Sequence, residues 1–186
     1  MRKKYPSINL DHAAATPIDP GVLLSMRPFF SLYQANPSAL YKEALFVREK
    51  IDEARSVVAK YLEAQPDTIL FTSGGTESCA TAILGVVREA KKSGLKKPHI
   101  VTTAIEHHAV LEAVRLAEKE GAEVTIVPVT NEGIVRSADV LHAISPQTVL
   151  VSVMYANNEL GTIQPISDIG RGILRLRKAA SSIYPI

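Results

Sequence analysis

Four short runs rich in β-branched residues, Thr68–Thr72, His99–Thr103, Glu123–Val127 and Thr148–Met154, alternate with longer stretches of helical periodicity. Each run is short and continuous instead of alternating apolar with polar. A strand reads that way when both of its faces are covered. The helical stretches fall between them at Thr76–Lys92, His107–Glu120 and Ser137–Ile144, with a last one at Ile166–Lys178. Strand–helix–strand order calls for crossover connections, which give parallel neighbours with helices over the sheet. The expected fold is therefore α/β, a mostly parallel sheet with helices on both faces. Two helical stretches precede it. Pro20–Leu32 starts with a proline behind Asp19, the order preferred at a helix N-terminus. The second runs to about Leu62 and carries an apolar stripe of Leu40, Ala44, Val47, Ile51, Ala54, Val58 and Tyr61.

Composition narrows the class. The 186 residues are 46% apolar, enough for a core, and 22% are charged with a net charge of +2. That balance gives no reason to expect nucleic acid or a membrane surface as a partner. The cluster Arg171, Arg175, Arg177 and Lys178 reads as a solvated helix face matched to the dipole at a C-terminus. The single cysteine, Cys79, excludes an internal disulfide and suits a reducing compartment. The basic start Met1–Pro6 is not followed by an apolar core, and no apolar run approaches the ~18 residues of a membrane span. A cytoplasmic protein is expected, and no metal-ligating cluster is read.

In parallel sheets chemistry gathers beyond the C-terminal ends of the strands. The first run leads into Ser73-Gly74-Gly75-Thr76, the second into Glu106-His107-His108, and the fourth into Asn157-Asn158-Glu159-Leu160-Gly161. A strand, a glycine pair and then a helix start present unpaired N–H groups and a positive dipole end, which suits a phosphate. The plain alternative is an ordinary turn capped by Ser73 and Thr76. A histidine opening a helix is in turn commonly a cap, and Asn-Asn before Glu-Leu-Gly is good turn chemistry.

Five ordered blocks carry a resemblance: Leu10-Asp11-His12-Ala13-Ala14-Ala15-Thr16-Pro17, Asn36-Pro37-Ser38, Phe71–Ser78, Glu106–Val110 and Asn157–Gly161. In this order the chain, from about residue 7 onward, resembles the cysteine desulfurases. These are class V, fold-type I enzymes that use pyridoxal 5′-phosphate to take sulfur from L-cysteine. The resemblance implies an incomplete large domain over residues 1–186, with residues 1–15 as an extended arm towards a small domain. It places the cofactor phosphate on Gly75 and Thr76. It makes His107 the catalytic ring that stacks on the pyridine and moves protons, with His108 facing away. It sets Asn158 to the cofactor's phenolic oxygen, leaves Asn157 and Glu159 to shape the loop, and makes Ala13–Thr16 a substrate-side wall. It also implies a homodimer and a sulfur-acceptor or iron–sulfur scaffold partner.

The chain departs from that pattern at Tyr41 and Ala44, where relatives commonly carry histidine and glycine. Cys79 has no counterpart to the sulfur-accepting cysteine and reads as a packed core thiol. The reaction also needs a lysine to hold the cofactor covalently, an acid for its ring nitrogen and a nucleophilic cysteine. There is no His-Lys dipeptide, and Ser182–Ile186 reads as the opening of the acid-bearing strand. The expectation is an N-terminal part that is inactive alone, with Thr68–Thr72 lacking a sheet neighbour and Thr148–Met154 left as an apolar edge. The alternatives are another class V enzyme such as a selenocysteine lyase, or a non-catalytic binding or dimerisation module. A dinucleotide-binding domain is disfavoured by the missing Gly-x-Gly-x-x-Gly.

Overall fold

The computed structural model describes residues 8–179. Of the extended start expected at Ser7–Asp11 and the arm at 1–15, the residues before Ile8 lie outside that range, as does the strand opening at Ser182–Ile186. The chain divides between Phe71 and Thr72 into two compact units.

In the first unit, Asp19 caps α1 (Pro20–Met26) by accepting from the N–H groups of Gly21 and Val22 at 2.7 and 3.3 Å. Pro28 has no N–H to continue the ladder, so the helix tightens into a 3-10 turn at Arg27–Phe30. The single helix expected over Pro20–Leu32 is therefore two pieces. The Phe29, Tyr33 and Phe46 rings stack in a tilted series with centroids 5.4 and 4.7 Å apart. Helix α2 (Lys42–Tyr61) forms where the stripe predicts it, yet only Ala44 and Ala59 on it are buried. Arg48 ties the loop before α2 in place by donating to the carbonyls of Pro37 and Ala39 at 2.7 and 3.1 Å. Tyr41 stands at the α2 N-cap, and its hydroxyl accepts from the Asn36 N–H at 3.3 Å.

In the second unit, β1 (His99–Thr103), β2 (Glu123–Val127) and β3 (Thr148–Ser152) form a parallel sheet in the order β2-β1-β3. All five residues of β1 are buried, because it lies in the middle with helices on both faces. Ile100 joins Ile83, Leu84 and Val87 of α3 (Gly75–Lys92) and Val110, Val114 and Ala117 of α4 (His108–Lys119). Its neighbour Val101 points the other way, into a cluster with Val140 of α5 (Ser137–His142) and Ile169 of α6 (Ile166–Ala179). Along α6, Arg171 pairs with Asp168 at 2.5 Å on the exposed face, in keeping with a solvated basic cluster.

Two strand expectations change. Thr68–Thr72 is not a strand: Pro66–Thr68 form a 3-10 turn, and Ile69 is extended without a ladder partner among the described residues. A single extended segment has nothing to hold it as a strand when no neighbour accepts its N–H groups. The last run pairs only to Ser152, at the sheet edge, as expected of a strand with one neighbour.

A staple joins the three strands, from the first residues of β1 and β3 to the middle of β2. The His99 ring, 6% exposed, meets Thr148 Oγ1 through Nδ1 at 2.7 Å and Thr125 Oγ1 through Nε2 at 2.9 Å. Burial lowers its pKa from the usual imidazole value, and the nearby Glu123 carboxylate opposes that only partly. The unfolded ring takes up its proton near pH ~6.5, before the folded one does. Stability is therefore full above that pH and is lost as pH falls below it towards the depressed folded value. Urea unfolding at pH 7.5 and 5.5 should show a larger acid loss for the native chain than for His99→Gln. An equal loss in both would remove His99 as the cause.

Candidate functional site

Parallel strands put one kind of end on one edge. Helix α3 precedes β1 and runs back along it, so the α3 N-terminus lies at the edge where β1 and β3 finish. Helix α4 starts there too, after the four residues that follow the end of β1.

At α3, neither Ser73 nor Thr76 caps the helix as the plain reading of the turn proposes. The N-cap is Gly74, which has no side chain to offer. The Glu77 carboxylate instead reaches back and accepts from the N–H and hydroxyl of Ser73 at 2.7 and 2.6 Å. Those two bonds hold the Glu77 carboxyl below its usual pKa, in its ionised form. Thr72 and Ser78 brace the turn from the other side: their hydroxyls are 2.6 Å apart, one donating to the other, and the hydroxyl whose proton remains free donates to the Gly74 carbonyl, which lies 3.1 and 3.2 Å from the two oxygens. The N–H groups of Gly75, Thr76 and Glu77 then have no acceptor among the described residues. A Cβ built on Gly74 or Gly75 would meet nothing within 4 Å among the described residues. Packing among the described residues therefore does not require these glycines, and the turn is open to close approach.

His107 is the N-cap of α4, its Nδ1 accepting from the Ala109 N–H at 3.1 Å. A nitrogen that accepts carries no proton, so in the neutral ring the hydrogen sits on Nε2. The ring is exposed. The cap and ring-stacking readings are compatible, because the cap uses one edge of the ring and leaves its faces free. His108 does not turn away as expected. Its ring stands edge-on to that of His107, with centroids 6.4 Å apart, and both histidines line the same two clefts.

Asn157 and not Asn158 builds the third corner. Its Oδ1 accepts from the N–H groups of Glu159 and Leu160 at 2.9 and 2.8 Å, and its Nδ2 donates to the Ile105 carbonyl at 3.1 Å. Gly161 closes the turn at φ +72°, where a side chain would be strained. Asn158 is left exposed at the tip.

A cleft of about 420 Å3 is shared by Thr76 and His107, and a second of about 360 Å3 by His107 and Asn158. Three of the segments singled out from the sequence thus converge on His107. Ala13–Thr16 belongs to the first unit, where residues 12–14 form a turn. Cys79 packs against the core formed by α3 and α4.

Two buried side chains behind this edge escaped the sequence reading. Glu106, 7% exposed, accepts through Oε1 from the Thr103 hydroxyl at 2.8 Å and the Met154 N–H at 2.7 Å. Desolvation raises its pKa and those two bonds pull it back in part. Gln164, 3% exposed, accepts from the Val135 N–H at 2.9 Å and donates to the Gly133 carbonyl at 3.0 Å. Glu106 opens the Glu106-His107-His108 segment. Gln164 has no local signal, since these partners lie 29 and 31 residues away.

The aminotransferase class-V family model matches residues 8–183. The cysteine desulfurase IscS of Clostridium botulinum (strain Hall) is 46% identical over 163 residues, 88% of this chain and 40% of that protein. The putative cysteine desulfurase IscS 1 of Bacillus subtilis (strain 168) is 44% identical over 172 residues, 92% and 44% of the two chains. Among solved structures, SspA in complex with cysteine superposes with a TM-score of 0.83 at 40% identity, over 89% of this chain and 47% of that one. A NifS-like protein gives 0.83 at 38% identity, over 90% and 45%. The chain spans less than half the length of each of these proteins.

Proposed function

The chain belongs to the aminotransferase class-V family, and from that premise we propose that it carries the cofactor-binding edge of a pyridoxal-phosphate-dependent cysteine desulfurase. One observation carries the reading: His107 lines two clefts, one with Thr76 and the other with Asn158.

The residues fit the cofactor. A phosphate needs N–H donors and an uncrowded backbone, and Gly75, Thr76 and Glu77 offer free N–H groups beside glycines open on their Cβ side. Gly75 and Thr76 would hold the phosphate, the His107 ring would lie on the pyridine, and Asn158 would donate to the phenolic oxygen. When bound, pyridoxal phosphate supplies an electron sink for the pair released at the substrate's α-carbon. On the protein's side, Nε2 of His107 is the nitrogen free to hold or pass a proton, because Nδ1 is engaged by Ala109. The Asn158 amide donates a hydrogen bond without adding charge. Glu77, tied to Ser73, keeps its carboxylate turned to the turn backbone.

The whole reaction in this reading converts L-cysteine to L-alanine and passes sulfur to an acceptor or iron–sulfur scaffold protein. The enzyme works as a cytoplasmic homodimer. No helix among the described residues is long and apolar enough to cross a membrane. The test starts from the native product in its own cells: its intact mass, its pyridoxal phosphate content and cysteine-dependent alanine release. A product of about twice 20.1 kDa that contains the cofactor and releases alanine is expected. A product at 20.1 kDa that takes up no cofactor, alone or with a partner chain, would overturn the reading. Release only from selenocysteine would move it to selenocysteine lyase.

A further inference from the structure

Beyond Thr103 and Ser152 the backbones of β1 and β3 leave their ladder, yet the segments that follow them stay side by side. Two reciprocal bonds hold them. Glu106 Oε1 accepts from the Met154 N–H at 2.7 Å, and Asn157 Nδ2 donates to the Ile105 carbonyl at 3.1 Å. Each segment thus sends one side chain to the other's backbone. The Thr103 hydroxyl, on the last residue of β1, anchors Glu106 at 2.8 Å. Among the described residues Glu106 is the one buried acid. Burying a carboxyl is costly unless its hydrogen bonds repay it. Each of the two side chains is also the immediate chain neighbour of a site residue: Glu106 of His107, and Asn157 of Asn158.

We infer that Glu106 and Asn157 are positioning residues that lock the His107 turn to the Asn158 loop and so set the spacing of the two groups that meet the cofactor ring. The geometry of the lock stands on its own; its consequence for the cofactor rests on the function proposed above. Glu106 acts here as a hydrogen-bond acceptor, and the carbonyl of a glutamine would accept the same two bonds. Its removal would leave the half-buried Met154 N–H and the buried Thr103 hydroxyl without a partner.

The experiment compares Glu106→Gln, Glu106→Ala and Asn157→Ala in the full-length chain by two readouts. One is affinity for pyridoxal phosphate. The other is hydrogen exchange at the Met154 amide, with the β1 amides as an internal control for global stability. Glu106→Ala should weaken cofactor binding about tenfold and speed Met154 exchange by a similar factor, the loss of one buried partner. Glu106→Gln should stay within about twofold of wild type in both. Asn157→Ala should weaken binding in the same direction, and the double variant should lose less than the product of the single losses, because both serve one lock. If Glu106→Ala does not fold, Asn157→Ala and Glu106→Gln decide the matter. Wild-type affinity and exchange in Glu106→Ala or, should it not fold, wild-type affinity in Asn157→Ala would overturn the inference. So would a Glu106→Gln loss as large as that of Glu106→Ala, which would mean that charge and not the lock is used. A wild-type chain that binds no cofactor would sink the functional reading instead, and Met154 exchange would still test the lock.

Discussion

Replacing His107 by asparagine in the full-length protein is expected to cut cysteine turnover about a hundredfold or more while leaving α4 as stable as before. The two parts have different causes. His107 caps α4 through Nδ1, which accepts from the Ala109 N–H. The Oδ1 of asparagine sits in a similar place on a side chain much favoured at N-caps, so the cap survives. What is lost is the flat ring and the Nε2 proton. A positioned acid–base group contributes about 10² to 10⁴ in rate, and loss of an aromatic stack removes about 1 kcal/mol of cofactor binding besides. His107→Ala should show the same kinetic loss plus about 1 kcal/mol of stability from the missing cap. Alanine release from cysteine, read beside thermal unfolding, separates the two. An asparagine variant that turns over like wild type would leave His107 a cap and nothing more.

The largest effect on stability is expected at Gln164. Its amide satisfies the Val135 N–H and the Gly133 carbonyl together, and Val135 itself is 1% exposed. Gln164→Ala strands both groups away from water, at roughly 1 to 3 kcal/mol apiece. The Thr162 hydroxyl also reaches the Gly133 carbonyl, at 3.1 Å, and softens the loss on that side. The sum should be about 3 kcal/mol in urea unfolding of the chain. Gln164→Glu should fare no better at neutral pH. Its carboxylate can still accept from Val135, but its other oxygen faces the Gly133 carbonyl instead of donating to it. A change below about 0.5 kcal/mol in the alanine variant would mean that water reaches these groups. The same substitution should loosen the loop that carries Asn158, since Ala156 and Ile163 pair across the base of that loop just before Gln164.

How far the fold could be read depended on how local its causes were. β1 and β2 begin and end where their β-branched runs predict, because such residues favour an extended backbone whether or not both faces are covered: β1 is buried throughout, while Ile126 of β2 is 54% exposed. The split of the first helix has an equally local cause in Pro28, whose missing N–H interrupts the ladder. The stripe along α2 correctly announces a helix. It does not announce a buried one: Leu40 and Tyr61 are 85% and 84% exposed, and periodicity reports which residues could be covered, not what covers them. At Thr68–Thr72 strand-forming residues are present but no neighbour bonds them among the described residues, which is the lack that the family resemblance implies.

The candidate site divides along the same line. Gly74 and Gly75, His107 and the Asn157–Gly161 turn are set by residues within four positions of one another, and bonds of that reach can be read from spacing alone. Glu106 to Met154, Asn157 to Ile105 and Gln164 to Val135 join residues 48, 52 and 29 positions apart. His99 likewise reaches Thr148 across 49. Whether a carboxyl, an amide or an imidazole at such a position meets a partner depends on how the parallel strands place their ends side by side. The sequence by itself determined most of the elements, the α/β class and the polar turns offered at one sheet edge, because these follow from torsional preference and burial pattern along a few residues. Only the tertiary structure decided which of those turns are tied together, because a hydrogen bond is satisfied by whatever group lies within about 3 Å in space, however far away it stands in the chain.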